Sequence, residues 1–352
     1  MKTIKVGING FGRIGRAFLK IAWERPEIEI VAVNDLGDIA NMAYLLKYDT
    51  VYREWKHPIR AEVSNGTGDN YIIINDKKVK VLRELDPANL PWKDLGVDVV
   101  VESTGLFTSY DKASVHIKAG AKKVVITAPA KEEAGKPVSE EIQGETILLG
   151  VNEEKFGACD ITSNASCTTN AASPLIAILD ESLGIEKAIL NTVHGYTASQ
   201  SLVDGPNKKD FREGRAAAQN IVPSSTGAAI AVTKAFTKLT GLFDGISIRV
   251  PVLAGSIVDI TFISKKNTSK EEVNDIFKKA AKDKRWEGIF STTEEDLVSS
   301  DILGSRYGSI ADLKMTRVIG GNLVKVMGWY DNEMGYAYTL VDHVIKTGKT
   351  IK

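Results

Sequence analysis

The stretch "SNASCTTN", Ser163 to Asn170, sets a cysteine among small hydroxyl-bearing residues just ahead of an apolar run, "AASPLIAILDESLG". Ser166 is of the type that caps a helix start, which puts Cys167 in the first turn. There, unpaired backbone N–H groups and the helix dipole favour a thiolate. Ser166, Thr168 and Thr169 supply hydroxyl donors beside the sulfur, an arrangement suited to anions. Pro174 predicts a kink in the helix. Of the four histidines, His194 in "ILNTVHGYT" ends a strand-like run in the same half of the chain. A cysteine and a histidine that share a proton form a nucleophile for covalent catalysis. His57, His116 and His343 fall in unrelated segments and read as surface or packing residues. Cys159 reads as a small buried one. No metal site is expected.

A second constellation opens the chain. "GINGFGRIGR" carries Gly10, Gly12 and Gly15 between a strand-like run and a helix-like one. Such glycines allow a tight turn and close backbone approach to a pyrophosphate at a helix N-terminus. Arg13 and Ile14 begin that helix, and Arg13 has the charge to approach the phosphates. Asp35 ends the next strand, about twenty residues on, where a carboxylate accepts hydrogen bonds from ribose hydroxyls and repels a 2′-phosphate. The expected cofactor is NAD, in preference to NADP. Together with a thiolate, NAD points to aldehyde oxidation through a covalent sulfur adduct.

These residues need elements to hold them. In the first half, β-branched runs such as Val97–Val101 and Val124–Ile126 alternate with helix-like segments, the pattern of a doubly wound, mostly parallel α/β sheet. "HPIRAEVSNGTGDNYIIINDKKVKVL" interrupts it and reads as an antiparallel insertion. From about Ser166, longer strand patterns predict a second, α+β domain with a mixed or antiparallel sheet. The segment 198–222, polar and rich in Gly, Pro and charge, reads as a functional or intersubunit loop. Residues 130–147 read as an exposed loop. Lys+Arg and Asp+Glu balance at 45 each, so bulk charge recruits neither nucleic acid nor an anionic membrane. No apolar stretch approaches the length of a bilayer span, the start lacks a signal-peptide pattern, and two cysteines make no disulfide framework. A cytoplasmic protein is expected.

"GINGFGRIGR", "SNASCTTN", "TVHGYT", "STGAA", "RVP" and "WYDNEMGY" resemble, in order, the motifs of the phosphorylating glyceraldehyde-3-phosphate dehydrogenases. The similarity runs from Ile4 to the last helix. The resemblance implies a Rossmann-type NAD domain of residues 1–165 and 332–352, to which the C-terminal helix returns, and a catalytic domain of 166–331. It implies Cys167 as nucleophile and His194 as its acid/base partner. Thr197 and Arg249 match positions that hold the substrate's phosphate; Ser166, Thr168, Thr226 and Gly227 match the site of the attacking inorganic phosphate. Thr127, Asn332 and Tyr336 match the cofactor cleft. Glyceraldehyde 3-phosphate and inorganic phosphate are the implied substrates and a homotetramer the implied assembly, with the loop after Thr197 lining a neighbour's pocket. Leu85 and Glu213 stand where arginine is common, and Met334 where an aromatic is usual. Erythrose-4-phosphate dehydrogenase shares these motifs, and an idle NAD-binding protein would share the fold.

Overall fold

The structure, a computed structural model, describes residues 3–64, 69–131, 144–208 and 210–351. The chain divides into two compact units. One comprises Met1–Ile147, Glu154–Ala165 and Leu340–Lys352, the other Leu148–Glu153 and Ser166–Thr339.

The first unit is built on β1 (Ile4–Asn9), α1 (Arg13–Trp23), β2 (Ile28–Asn34), α2 (Ile39–Lys47), β3 (Tyr48–Asp49) and β4 (Arg53–Glu54). Then come β5 (Ile59–Glu62), β6 (Asn70–Ile74), β7 (Lys77–Leu82), β8 (Val99–Glu102), α3 (Tyr110–Ala113), α4 (Val115–Lys118), β9 (Lys123–Ile126), β10 (Gly144–Thr146) and β11 (Ile161–Ser163). Nine strands form one sheet in the order β10-β11-β9-β8-β1-β2-β7-β6-β5. From β10 to β7 every neighbouring pair is parallel; β6 and β5 extend that sheet antiparallel. The runs "VVVE" of β8 and "KVVI" of β9 are buried at every position, as strands covered on both faces must be.

The antiparallel insertion forms as β5, β6 and β7, and β7 also pairs parallel with β2, so it lengthens the main sheet. Within 130–147, Gly144–Thr146 is an edge strand and Ile147 is fully buried, because the parallel ladder extends past β11; residues 132–143 lie outside the described ones.

The second unit holds α5 (Cys167–Leu183), β12 (Ile185–Gly195), β13 (Val222–Ser225), α6 (Ala228–Ala235), β14 (Phe243–Val250), β15 (Ser256–Ser264) and α7 (Lys270–Ala280). It continues with β16 (Phe290–Thr293), β17 (Ser309–Asp312), β18 (Arg317–Ile319), β19 (Leu323–Tyr330) and the start of α8 (Met334–Lys349). Its sheet runs β13-β14-β12-β15-β19-β17-β16, with β18 on β19. The sheet is mixed: β12 lies parallel to β14 and antiparallel to β15. α5 is buried along most of its length and continues through Pro174 to Leu183, so the proline does not end it. The two compact units divide α8 between Thr339 and Leu340, so Asn332 and Tyr336 fall within the second.

Candidate active site

In the first unit, β1 and the start of α1 build a turn that contains three glycines. Gly10 has φ +92°, a left-handed backbone, and a Cβ there would meet the Ser103 carbonyl carbon and the Thr104 nitrogen at 2.7 Å. A Cβ on Gly15 would lie 2.3 Å from the Gly10 carbonyl oxygen. Gly12 differs: it caps α1 with φ −67°, no side chain caps the helix start, and a Cβ there would meet nothing within 4 Å. Two glycines thus close the turn, and the third leaves a helix N-terminus open to an anion, which fits the pyrophosphate of a dinucleotide.

Asp35 is held by two backbone N–H groups. Its Oδ2 accepts from the Phe11 N–H at 2.7 Å and its Oδ1 from the Gly37 N–H at 2.9 Å. Arg13 departs from expectation. Its guanidinium makes two bonds to the Asp49 carboxylate, at 3.1 and 3.3 Å. Ile14 follows in the first turn. Thr127 sits just past β9, its N–H on the Glu102 carbonyl at 3.0 Å. Leu85 is 77% exposed, and Arg83 reaches the Leu36 carbonyl at 3.1 Å.

The second unit carries the sulfur. Ala165 adopts φ +54° with its N–H on the Ser163 hydroxyl, which turns the chain into α5. Ser166 then caps the helix, its Oγ accepting from the Thr169 N–H at 3.1 Å. Cys167, half-buried, is the first helical residue, and its Sγ lies 3.4 Å from His194 Nε2 at the end of β12. His194 Nδ1 lies 2.6 Å from the Gly195 carbonyl. The carbonyl accepts from Nδ1 in the tautomer that turns the Nε2 lone pair to the thiol, whereas the Arg249 guanidinium, a donor 2.6 Å from the same Nδ1, favours the other.

Arg249 is the register partner of His194 on β14, and its Nη1 sits 2.6 Å from Nδ1 and 3.4 Å from the same carbonyl. Burial, then this guanidinium, pushes the imidazole down to about 3. The resident thiolate expected at the helix start meets a stronger opposing effect. Burial pushes the Cys167 thiol up, against Arg249, the Thr168 hydroxyl and the first-turn N–H groups, which pull it down. Both shifts favour the neutral forms, a thiol beside an imidazole.

Residues the sequence did not single out hold this pair together. The Tyr330 hydroxyl bridges Thr168 Oγ1 and Thr192 Oγ1, at 2.8 Å each, tying the nucleophile's helix to the strand of His194. Its ring meets the imidazole edge-on at a centroid distance of 5.9 Å. Tyr330 ends the β-patterned run "NLVKVMGWY", and nothing in that pattern separates it from a core aromatic.

Strand order delivers the anion-binding candidates. β14, carrying Arg249, lies between β12 and β13; β13 leads directly to Thr226 and Gly227 at the start of α6. Thr226 Oγ1 accepts from the Ala228 N–H at 3.2 Å, and Thr197 Oγ1 lies 3.1 Å from Ser199 Oγ. Glu213 turns onto the Ser224 hydroxyl at 2.7 Å. Asn332 Oδ1 accepts from the Gly255 N–H at 2.9 Å and the Ser256 hydroxyl at 3.1 Å, leaving its amide nitrogen as the available donor group; Tyr336 is buried in α8.

Comparisons with known proteins agree along the chain. Residues 4–110 match the family model "Glyceraldehyde 3-phosphate dehydrogenase, NAD binding domain", and residues 166–332 match "Glyceraldehyde 3-phosphate dehydrogenase, C-terminal domain". The chain is 47% identical over 352 residues to the glyceraldehyde-3-phosphate dehydrogenase of Streptomyces coelicolor, covering 99% of this chain and 100% of the relative. It is 46% identical over 356 residues to that of Mycobacterium avium and 44% identical over 347 residues to glyceraldehyde-3-phosphate dehydrogenase A of Escherichia coli K12, with the same coverage.

Proposed function

The chain belongs to the glyceraldehyde 3-phosphate dehydrogenase family, and from that premise we propose how its own residues perform the reversible, NAD-dependent oxidative phosphorylation of glyceraldehyde 3-phosphate to 1,3-bisphosphoglycerate. The 3.4 Å approach of Cys167 Sγ to His194 Nε2 carries the reading. As the sulfur bonds to the aldehyde carbon, the thiol proton passes to Nε2 and from there to the carbonyl oxygen, which becomes the hydroxyl of a hemithioacetal and leaves His194 neutral. NAD, when bound, supplies the hydride acceptor that takes this carbon to a thioester. His194 accepts the hemithioacetal hydroxyl proton during oxidation. Inorganic phosphate then attacks the thioester carbon, the C–S bond breaks, and the departing sulfur recovers a proton from His194.

Arg249 and Thr197 hold the substrate's phosphate; Ser166, Thr168, Thr226 and the helix start at Gly227 receive the attacking one, through the donors a dianion needs. The Cys167 N–H at the start of α5 stabilises the oxyanion, work typically worth a few kcal/mol. Gly10, Gly12, Arg13 and Ile14 cradle the pyrophosphate with backbone, Asp35 takes the ribose, and Thr127, Asn332 and Tyr336 complete the cofactor contacts.

We further propose a homotetramer in the cytoplasm. Ile189, Ile246 and Leu323 are 59%, 54% and 39% exposed on the second sheet, beside a groove of about 410 Å³. Phe211, Leu202 and Ile221 of the 198–222 loop are also exposed. Apolar surface on this scale marks contact with another protein, here a second copy of the chain. Both cysteines are free thiols, in keeping with a reducing compartment, and no described helix is long and apolar enough to cross a membrane.

An NADH-absorbance assay with glyceraldehyde 3-phosphate tests the activity. Turnover requires phosphate; a rate indifferent to phosphate sinks the phosphorylating reading, and a faster phosphate-independent rate with erythrose 4-phosphate points to that relative instead. Sedimentation at micromolar concentration tests the assembly, and a monomer refutes it.

A further inference from the structure

A buried polar chain runs beneath the dinucleotide turn of the first unit. Glu102 ends β8 with its side chain 1% exposed, and His116, in α4, is fully buried. Four donors converge on this carboxylate. Oε2 accepts from Asn9 Nδ2 at 2.6 Å and His116 Nε2 at 2.9 Å; Oε1 accepts from the Thr104 N–H at 2.9 Å and its hydroxyl at 2.5 Å.

Proton positions follow from chemistry alone. Trp92 Nε1 can only donate, and it points at His116 Nδ1 at 3.1 Å, so the ring hydrogen lies on Nε2, facing Glu102. The 3.5 Å between Asn9 Nδ2 and His116 Nε2 is two donors flanking one oxygen. Because Asn9 gives its nitrogen to the carboxylate, its Oδ1 faces Asn34 Nδ2 at 2.8 Å, and Asn34 Oδ1 accepts from the Glu84 N–H at 2.8 Å. The carboxylate orients the Asn9 amide at the end of β1, and the Asn34 amide at the end of β2, held also by the Glu84 backbone, points the matching way.

Two loops hang on it. Asn9 directly precedes Gly10, and Thr104 follows Ser103, whose hydroxyl donates to the Gly10 carbonyl at 2.6 Å. These are the same backbones that would clash with a Cβ on Gly10. We infer that Glu102 and His116 are positioning residues for dinucleotide binding: the buried carboxylate, oriented by the histidine, fixes the spacing of the Gly10 and Ser103–Gly105 turns that leaves Gly12 open. This rests on the reading of the first unit as an NAD site.

The test is calorimetric titration of the full chain with NAD, for wild type, Glu102→Gln, His116→Leu and His116→Gln. A glutamine has one acceptor oxygen for four donors, so Glu102→Gln weakens NAD binding about 10- to 100-fold, as for loss of a hydrogen bond to a charged group. His116→Leu, which removes one donor, weakens it roughly tenfold by the same reasoning. His116→Gln, able to accept from Trp92 and donate to Glu102, restores binding to within about threefold. The KM for NAD rises in step while kcat and Cys167 alkylation without NAD stay near wild type. Unchanged affinity in Glu102→Gln and His116→Leu overturns the inference. So does a loss that glutamine at 116 does not rescue, or that slows alkylation equally, since either means general destabilisation. Failure of the wild-type chain to bind NAD would instead remove the functional reading itself.

Discussion

The same substitution at two glycines of the dinucleotide turn should give opposite outcomes. Gly12 has φ −67°, ordinary for any residue, and an added Cβ meets no atom within 4 Å. In Gly12→Ala, a poorer helix cap costs about 1 kcal/mol, and the stiffer unfolded chain returns about 0.4–1 kcal/mol. Stability should barely move, by roughly 2–4 °C at most. The methyl, however, stands where a phosphate oxygen must come within about 3 Å of backbone N–H groups. Loss of one charge-assisted bond, about 1.5–3 kcal/mol, raises the Kd for NAD roughly 10- to 100-fold. In Gly15→Ala the Cβ sits 2.3 Å from the Gly10 carbonyl oxygen, so backbone must shift and the cost falls on folding, about 1–3 kcal/mol or more. Thermal unfolding beside calorimetric NAD titration separates the two effects. Gly12→Ala binding NAD within twofold of wild type, or Gly15→Ala melting with wild type, would refute this division of roles.

Cys167→Ser should remove nearly all turnover while NAD affinity holds; an equal loss of both would indicate misfolding. His194→Asn should slow turnover about 10²–10⁴-fold and also slow iodoacetamide labelling of Cys167, and an unchanged labelling rate would take the histidine out of the pair. Asp35→Ser should raise the relative affinity for NADP, and constant selectivity would assign discrimination elsewhere. Burial pushes His343 down to about 3, as it does His194, against about 6.5 when unfolded. The unfolded chain takes up these protons first, so this stability is complete above about pH 6.5 and is lost toward pH 3, at about 1.4 kcal/mol per unit per histidine. His343→Gln should remove one proton from that slope, read as urea midpoints between pH 6 and 4; an unaltered slope would show that the histidine is not buried and neutral.

Chemistry was legible where residue type and spacing are themselves the constraint. Ser166 as cap, Cys167 in the first turn, the glycine turn and Asp35 all sit as their spacing requires. What escaped depends on contacts distant in sequence. Arg13 finds Asp49, 36 positions away, and forms an ion pair with it. Burial of Cys167 comes from elements that the octapeptide around it does not contain. His116, whose type alone gives it a packing role, becomes an oriented donor through Trp92 and Glu102. Tyr330 looks like any strand aromatic until its hydroxyl is seen between two threonines. The parallel pairing of β7 with β2 was hidden because hairpin signals report local turns, not which edge a hairpin joins.

The left-handed bend at Ala165 limits substitution in a way that size alone would not suggest. The site is wholly enclosed and would accommodate a small aliphatic group by chemistry, yet valine or isoleucine would add torsional strain to the roughly 1–2 kcal/mol the alanine already bears. Repacking guided only by volume would damage the approach to the nucleophile without touching it.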